Sequence, residues 1–275
     1  MYATLCIIKD SKRSGRIIGT HQKLDKAARR LLGRNLPVAR IFPTTKEILY
    51  FEGMQGPDGL KRKSPGVDEP EHFLNPDNDD GVLWGLISDH HWNLVRALKN
   101  GDRVRASFEA AWMAHAITDG LTPAHQYPFR EKRDEIMGDA EYMKLFGIKI
   151  KGLTKGGTLA ETIRRNWLYL GTDGVMTKHI AYEYGVAYVA SPVSLRKISP
   201  KNFCRADAKN ADLHDSFYSA VEKVAGLKMY DKFLEDGWTT GLVADTREVL
   251  LPEIVRAITL AWASAANEAM KNEKS

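Results

Sequence analysis

His115 and Asp119 stand four residues apart, and so do His179 and Glu183. On an α-helix that spacing places each imidazole and its carboxylate on one face. Both faces are otherwise apolar: Phe108, Ala111 and Trp112 precede the first pair, and Val186 and Ala190 follow the second. A lone histidine on such a face is most often a hydrogen-bonded core residue. Two pairs are harder to account for, because a buried imidazole or carboxylate is costly unless it is hydrogen-bonded, paired or bound to a metal. Each pair offers one nitrogen and one oxygen, a donor set suited to zinc and other borderline divalent cations. His125 follows Asp119 by six positions, after Pro123, as though a helix ended there and the chain turned back.

The elements that must carry these residues read as helices. Leu24, Ala28, Leu31 and Leu32 form one stripe, with His21 a turn upstream. Trp84, Ile87, His91, Leu94, Val95 and Leu98 form a second, and Val104, Phe108, Ala111, Trp112, His115 and Asp119 a third. His179, Glu183, Val186 and Ala190 make the fourth; Ile254, Ile258, Ala261, Trp262 and Ala265 follow Pro252, which suits a helix first turn. No run alternates as a strand should, Arg40–Phe51 being the best candidate for an extended segment. Between Gly53 and Gly81 lies a stretch holding Pro57, Pro65, Pro70 and Pro76, a loop long enough to be either functional or disordered. The expected fold is all-α, a single multi-helix domain over residues 1–275.

Composition sets the outer bounds. Hydrophobic residues make up 43% of the 275-residue chain, as in an ordinary globular protein. The apolar run from Ile254 to Ala266 is broken by Arg256 and Thr259, short of the roughly 18 apolar residues of a membrane span. Met1–Ile8 is followed at once by Lys9, Asp10, Lys12 and Arg13, which is not a secretory signal. Cys6 and Cys204 make neither a disulfide framework nor a metal motif, and the expected location is cytoplasmic. The net charge of +5 is modest, and the basic clusters Lys9–Arg16 and Lys61–Lys63 read first as solvated surface.

The segment Ala114-His115-Ala116-Ile117-Thr118-Asp119-Gly120-Leu121-Thr122-Pro123-Ala124-His125 is similar to the H-x3-D-x5-H element of the zinc-dependent phospholipase C and S1/P1 nuclease superfamily. His72-Phe73-Leu74-Asn75-Pro76-Asp77-Asn78 resembles the HF-x-x-PDN stretch of bacterial phospholipases C. Asp58, fourteen positions before His72, resembles the family's loop aspartate. His179-Ile180-Ala181-Tyr182-Glu183 matches its H-x-x-x-E/D element, and His21 resembles its N-terminal histidine. The motifs occur in family order from His21 to Glu183.

What the resemblance implies is a helical fold with a three-metal zinc site. Asp58, His72, His115 and Asp119 would hold one ion, and His125, His179 and Glu183 a second. His21 would share Asp119 as a bridging carboxylate to a third. The implied activity is phospholipase C-type cleavage of a phospholipid head group by a metal-activated water, with Asp58 also accepting the water's proton. Contact with a membrane surface would follow. A single-strand-specific nuclease and a non-catalytic zinc-binding protein are the alternatives; a nuclease would want Tyr127, Phe129 or Trp167 as a base-stacking platform. Two features depart from the family. Its third metal also takes the amino group and carbonyl of an N-terminal tryptophan, whereas 20 residues precede His21 here and none is Trp. The gap from His125 to His179 is longer than usual, which reads as a helical insertion over 130–176 beside the cleft, as residues 1–20 read as an N-terminal extension.

Asp89-His90-His91 and His214-Asp215 invite a metal reading but lack partner motifs. His91 is expected to face the core, His90 to face away, and His214 to lie at the surface. Phe73, Trp84 and Trp112 could line a pocket, with core packing the default.

Overall fold

In the computed structural model, residues 19–37, 41–52, 56–57, 72–137 and 156–271 are described. The described residues are helical with no strands. Asp58, the basic clusters at 9–16 and 61–63, and most of the N-terminal extension lie outside them.

Helix α1, Thr20–Asn35, opens where the Gln22 side chain accepts from the Gly19 N–H, and buries Leu24, Ala27, Ala28, Leu31 and Leu32. It stops at Leu36, which is extended before Pro37. Helix α2, Thr45–Tyr50, is short, and it replaces the extended segment expected over Arg40–Phe51. The reason is a capping box: Glu47 accepts from the Thr44 N–H at 2.6 Å and Thr44 Oγ1 accepts from Glu47 N–H. Buried Ile48 holds this single turn and a half against the core.

Helices α3, Val82–Lys99, and α4, Arg103–Gly120, form a tight antiparallel pair. Gly101, at a φ of 67°, makes the turn between them, and Asp102 caps α4 by accepting from Arg105 N–H. Helix α4 is buried almost all round from Ala106 to Gly120, which its run of alanines permits by letting neighbours approach closely. Val104, which leads the apolar stripe in the sequence, is 71% exposed because it lies in the first turn, before the helix enters the core.

The chain continues through α5, Pro123–Gln126, and α6, Phe129–Met137, then α7, Leu159–Leu170, and α8, Val175–Ala190. Helices α6 and α7 pack on one another and flank the undescribed 138–155. Helices α9, Arg205–Lys209, α10, Leu213–Ala225, and α11, Met229–Asp236, lead into α12, Thr240–Asp245. A π turn, Thr246–Leu250, joins α12 to α13, Leu251–Lys271. Pro252 falls in the first turn of α13, as expected, and directly follows a π turn within a longer helical stretch. Proline lacks the N–H for an ordinary i−4 bond and crowds that carbonyl, and a widened turn is where such a residue is accommodated.

Helix α13 is the hub, packing on α1, α3, α4, α9 and α10. Trp262, fully buried, donates its indole N–H to the Ala110 carbonyl of α4. The continuous helical stretch Thr240–Lys271 is long and apolar enough to cross a membrane by length and composition alone; 72% of that window is buried inside the protein, as befits a core helix.

Candidate metal centre

Three of the sequence-predicted residues meet in a first group. His72, His115 and Asp119 have candidate ligand atoms all within 4.8 Å of one another. His115 and Asp119 come from the buried middle of α4, with 3.2 Å between Nε2 and Oδ2. His72 arrives from the loop before α3 and sets Nδ1 3.0 Å from the same Asp119 oxygen. The other oxygen of Asp119 faces α1, 3.3 Å from His21 Nε2. The carboxylate is thus positioned to bridge, with Oδ2 on one side and Oδ1 on the other.

A second group unites His125, His179 and Glu183. His125 Nε2 and His179 Nε2 lie 2.9 and 3.1 Å from one oxygen of Glu183. The His125 ring is fixed because its Nδ1–H donates to the His72 carbonyl at 2.8 Å, while Leu74 N–H donates back to the His125 carbonyl. The strap His72–Leu74 is therefore tied to both groups. Phe73, between its ends, stacks on His125 at 4.6 Å between centroids and on Phe129 at 5.2 Å. Lys23 of α1 joins the groups from behind, donating to the carbonyls of Ala190 and Ser191 at the C-terminus of α8.

Sequence reasoning missed Glu52. It is 2% exposed, lies 3.0 Å from His115 Nδ1 and 3.8 Å from His21 Nδ1, and forms a third candidate group with those two histidines. Its placement follows from α2. Arg103 of α4 grips Glu47 through two hydrogen bonds, 3.0 and 2.7 Å, and Arg29 of α1 donates to the Pro43 carbonyl. Phe51 packs edge-on against Phe108. The signal in the sequence was Thr44-x-x-Glu47, a helix start that would have put Glu52 just past a helix end. Asp25 was missed as well, although His21 and Asp25 repeat the four-residue spacing of the other pairs. It is buried beside Glu52, and burial, then the Glu52 charge, holds its carboxyl well above the usual carboxylate range.

The electrostatics fit a cation. His115 is opposed in becoming charged by its burial, yet Asp119 and Glu52 together pull its pKa well above that of ordinary histidine. Burial works against ionised Asp119 and Glu183 too, yet both lie well below the usual carboxylate range, with His115 and His125 contributing at Asp119 and His125 and His179 contributing at Glu183. Burial depresses His21 and His179, which stay neutral and keep a lone pair for a metal. His21 forms no hydrogen bond through either buried ring nitrogen, and neither does His179 Nδ1, among the described residues. The sharpest fit lies at His125. With Nδ1–H committed to a carbonyl, His125 turns Nε2 toward a carboxylate oxygen. Two acceptors at 2.9 Å need a proton or a cation between them. These buried groups are able to hold a metal ion.

His90 and His91 stand apart from the three groups. His90 does not face away as expected; it is 8% exposed and pairs with fully buried Glu109 at 2.5 Å, because α4 packs along that side of α3. His91 faces the core side and meets Ser264 of α13. His214 is exposed. Trp112 is core, Trp84 is half-buried against Phe217, and Trp167 is 64% exposed. Comparison with protein-family models, with curated proteins and with solved structures finds no match for this chain.

Proposed function

We propose that the chain is a zinc-dependent phosphodiester hydrolase with the fold of the phospholipase C and S1/P1 nuclease type, acting on a phospholipid head group. The observation that carries this reading is the convergence of two buried His/His/carboxylate groups on one strap, His72–Leu74, whose His72 end meets both groups and whose Leu74 end bonds to the second. His/His/carboxylate sets that leave a coordination position open are the donor sets of hydrolytic zinc. When bound there, zinc supplies Lewis acidity toward a phosphoryl oxygen and lowers the pKa of water toward neutrality.

The chain's own residues do the rest. His72, His115 and Asp119 would hold the first ion, with Asp58 added on the strength of the sequence resemblance; His125, His179 and Glu183 would hold the second. The Nδ1–H bond from His125 to the His72 carbonyl keeps its Nε2 aimed at Glu183. Asp58 would take the proton of the attacking water as the new P–O bond forms and the bond between phosphorus and the glycerol oxygen breaks, that proton passing on to the departing diacylglycerol oxygen while the phosphorylated head group is released.

Phospholipid is favoured over single-stranded nucleic acid by the aromatic residues. Phe129 is buried and stacked with Phe73, which takes it out of reach of a base, and Tyr127 is partly buried and packed against Tyr230. Trp167 is exposed together with Leu159 and Ile163 on one side of α7, an apolar stripe suited to a lipid surface.

The test is elemental analysis of purified protein followed by assay of the same sample on phosphatidylcholine vesicles and on single-stranded DNA. Bound zinc with release of phosphorylated head group supports the reading. Hydrolysis of DNA alone moves the chain to the nuclease class. Tightly held zinc without cleavage of either substrate makes it a binding protein.

A further inference from the structure

Glu52 has two incompatible roles open to it. It can be a metal ligand with His21 and His115, or it can be the acceptor that orients those rings. The geometry of His115 separates them. Glu52 reaches this ring at Nδ1, 3.0 Å away, and Asp119 reaches it at Nε2, 3.2 Å away. A neutral imidazole has one lone pair, and its other nitrogen carries a proton. Ions placed on both sides of His115 would therefore require removing both ring protons. The His72–His115–Asp119 group and the His21–Glu52–His115 group compete for a single lone pair.

The same molecule shows how such a ring is handled. His125 donates Nδ1–H to the His72 carbonyl and turns Nε2 toward Glu183. His115 repeats the arrangement, with Glu52 in place of the carbonyl and Asp119 in place of Glu183. His21 follows it more loosely, with Nδ1 3.8 Å from the same Glu52 oxygen and Nε2 3.3 Å from Asp119 Oδ1. The two rings lie 4.1 Å apart between centroids, so one carboxylate oxygen serves the outer edge of both. A carboxylate behind a metal-bound histidine is a recurrent device that fixes tautomer and ring orientation.

We propose that Glu52 is a positioning residue, not a ligand: it accepts Nδ1–H from His115 and draws in that of His21, so that both present Nε2 to the two oxygens of Asp119. The inference rests on the metal reading given above. It also means that the three candidate groups are not three ion sites, since the one containing Glu52 exists to serve the first.

Nitrogen-15 NMR of histidine-labelled, zinc-loaded protein reads this directly, alongside elemental analysis of the full-length wild type and of Glu52→Gln at saturating zinc. The expected result is His115 bound through Nε2 with Nδ1 protonated. Glu52→Gln should keep the wild-type number of ions and bind them about 10–100-fold more weakly. Glu52→Asp, which restores a carboxylate on a shorter arm, should recover part of the affinity. Coordination of His115 through Nδ1, or loss of one whole ion in Glu52→Gln while the others stay, overturns the assignment and leaves the hydrolase reading intact. A wild-type protein that takes up no zinc overturns both. Should Glu52→Gln fail to fold, the wild-type tautomer still decides.

Discussion

The two His/His/carboxylate groups share a chemistry and differ in their surroundings. The first sits in the packed middle of the molecule, with the His115 side chain fully buried and carboxylates at both of its ring nitrogens. Its members come from the strap and α4, with His21 of α1 and Glu52 from the end of α2 beside them. The second is built from α5 and α8, has one carboxylate for two imidazoles, and leaves the His125 and His179 side chains 10% and 9% exposed. Aromatic rings rather than carboxylates stand beside it, with Phe129 5.0 Å from His179 between centroids. Deep burial with compensating charges makes a rigid group that the scaffold depends on. The second group is the less deeply buried of the two, and on the proposed function it is the one a substrate would reach. The same ligand types thus divide between holding the fold and meeting the outside.

Substitution tests that division most strongly. His115→Ala removes the ring on which Glu52 and Asp119 both lean. Removing one partner of a buried charged pair costs about 3–5 kcal/mol, because the remaining carboxylates are left uncompensated. The variant should lose the ion of the first group, lose hydrolysis, and melt well below wild type even without metal. Glu183→Gln should release the second ion alone, with a much smaller change in melting temperature of the metal-free protein. Elemental analysis and thermal melts in chelator check both. Equal melting temperatures for the two variants would erase the distinction between a scaffold group and a solvent-facing one.

A subtler change reaches the second group from behind. Gly185, two residues after Glu183 on α8, lies so close to the Trp238 indole that a methyl group there would overlap the ring. Trp238 in turn stacks on Tyr182 at 5.4 Å, which fixes the face of α8 opposite the ligands. Gly185→Ala should cost about 1–3 kcal/mol through overpacking. Because the shift falls on α8, it should weaken zinc at His125, His179 and Glu183 and spare the first group. Titration with a competing chelator, read as two separate binding phases, measures that selectivity. A uniform loss in both phases would mean that α8 and α4 move as one body.

How much of this could be read in the sequence differs between the groups. The four-residue pairs on apolar stripes gave four of the six members of the first and second groups, since helical spacing converts directly into a shared face, and His125 stood out by its place after Pro123. His72 came only through resemblance, because a residue on a loop carries no periodicity of its own; His21 stood on the α1 stripe, four before Asp25, but was named a ligand only through the resemblance. Glu52 was invisible for a physical reason. It lies past the end of a helix of six residues, too short for a stripe, and only the Thr44/Glu47 capping box announces that helix. His90 shows the opposite failure. The stripe on α3 places His91 inward, but α4 covers a second side of that helix, and periodicity sees one face at a time.

Acidity sharpens the comparison with the smallest effects. In metal-free protein the folded pKa of His115 is raised, so its contribution to stability is fully present below the ordinary histidine value of 6.5 and disappears as pH rises through the folded pKa. His179 is depressed, and Glu183 strongly so. Their contributions are present above the ordinary values and are lost as pH falls through the folded ones. Asp119, also depressed, adds an acid-side loss to the first group. Both groups therefore weaken toward acid, whereas only the first has a member that weakens toward base. Thermal melts in chelator from pH 6 to 9.5 should show an alkaline decline in wild type. His115→Gln, with no titrating ring, should be less stable throughout but flatter across that range. An undiminished alkaline slope in His115→Gln would place its origin elsewhere and remove the electrostatic basis for treating the first group as the one its own carboxylates hold together.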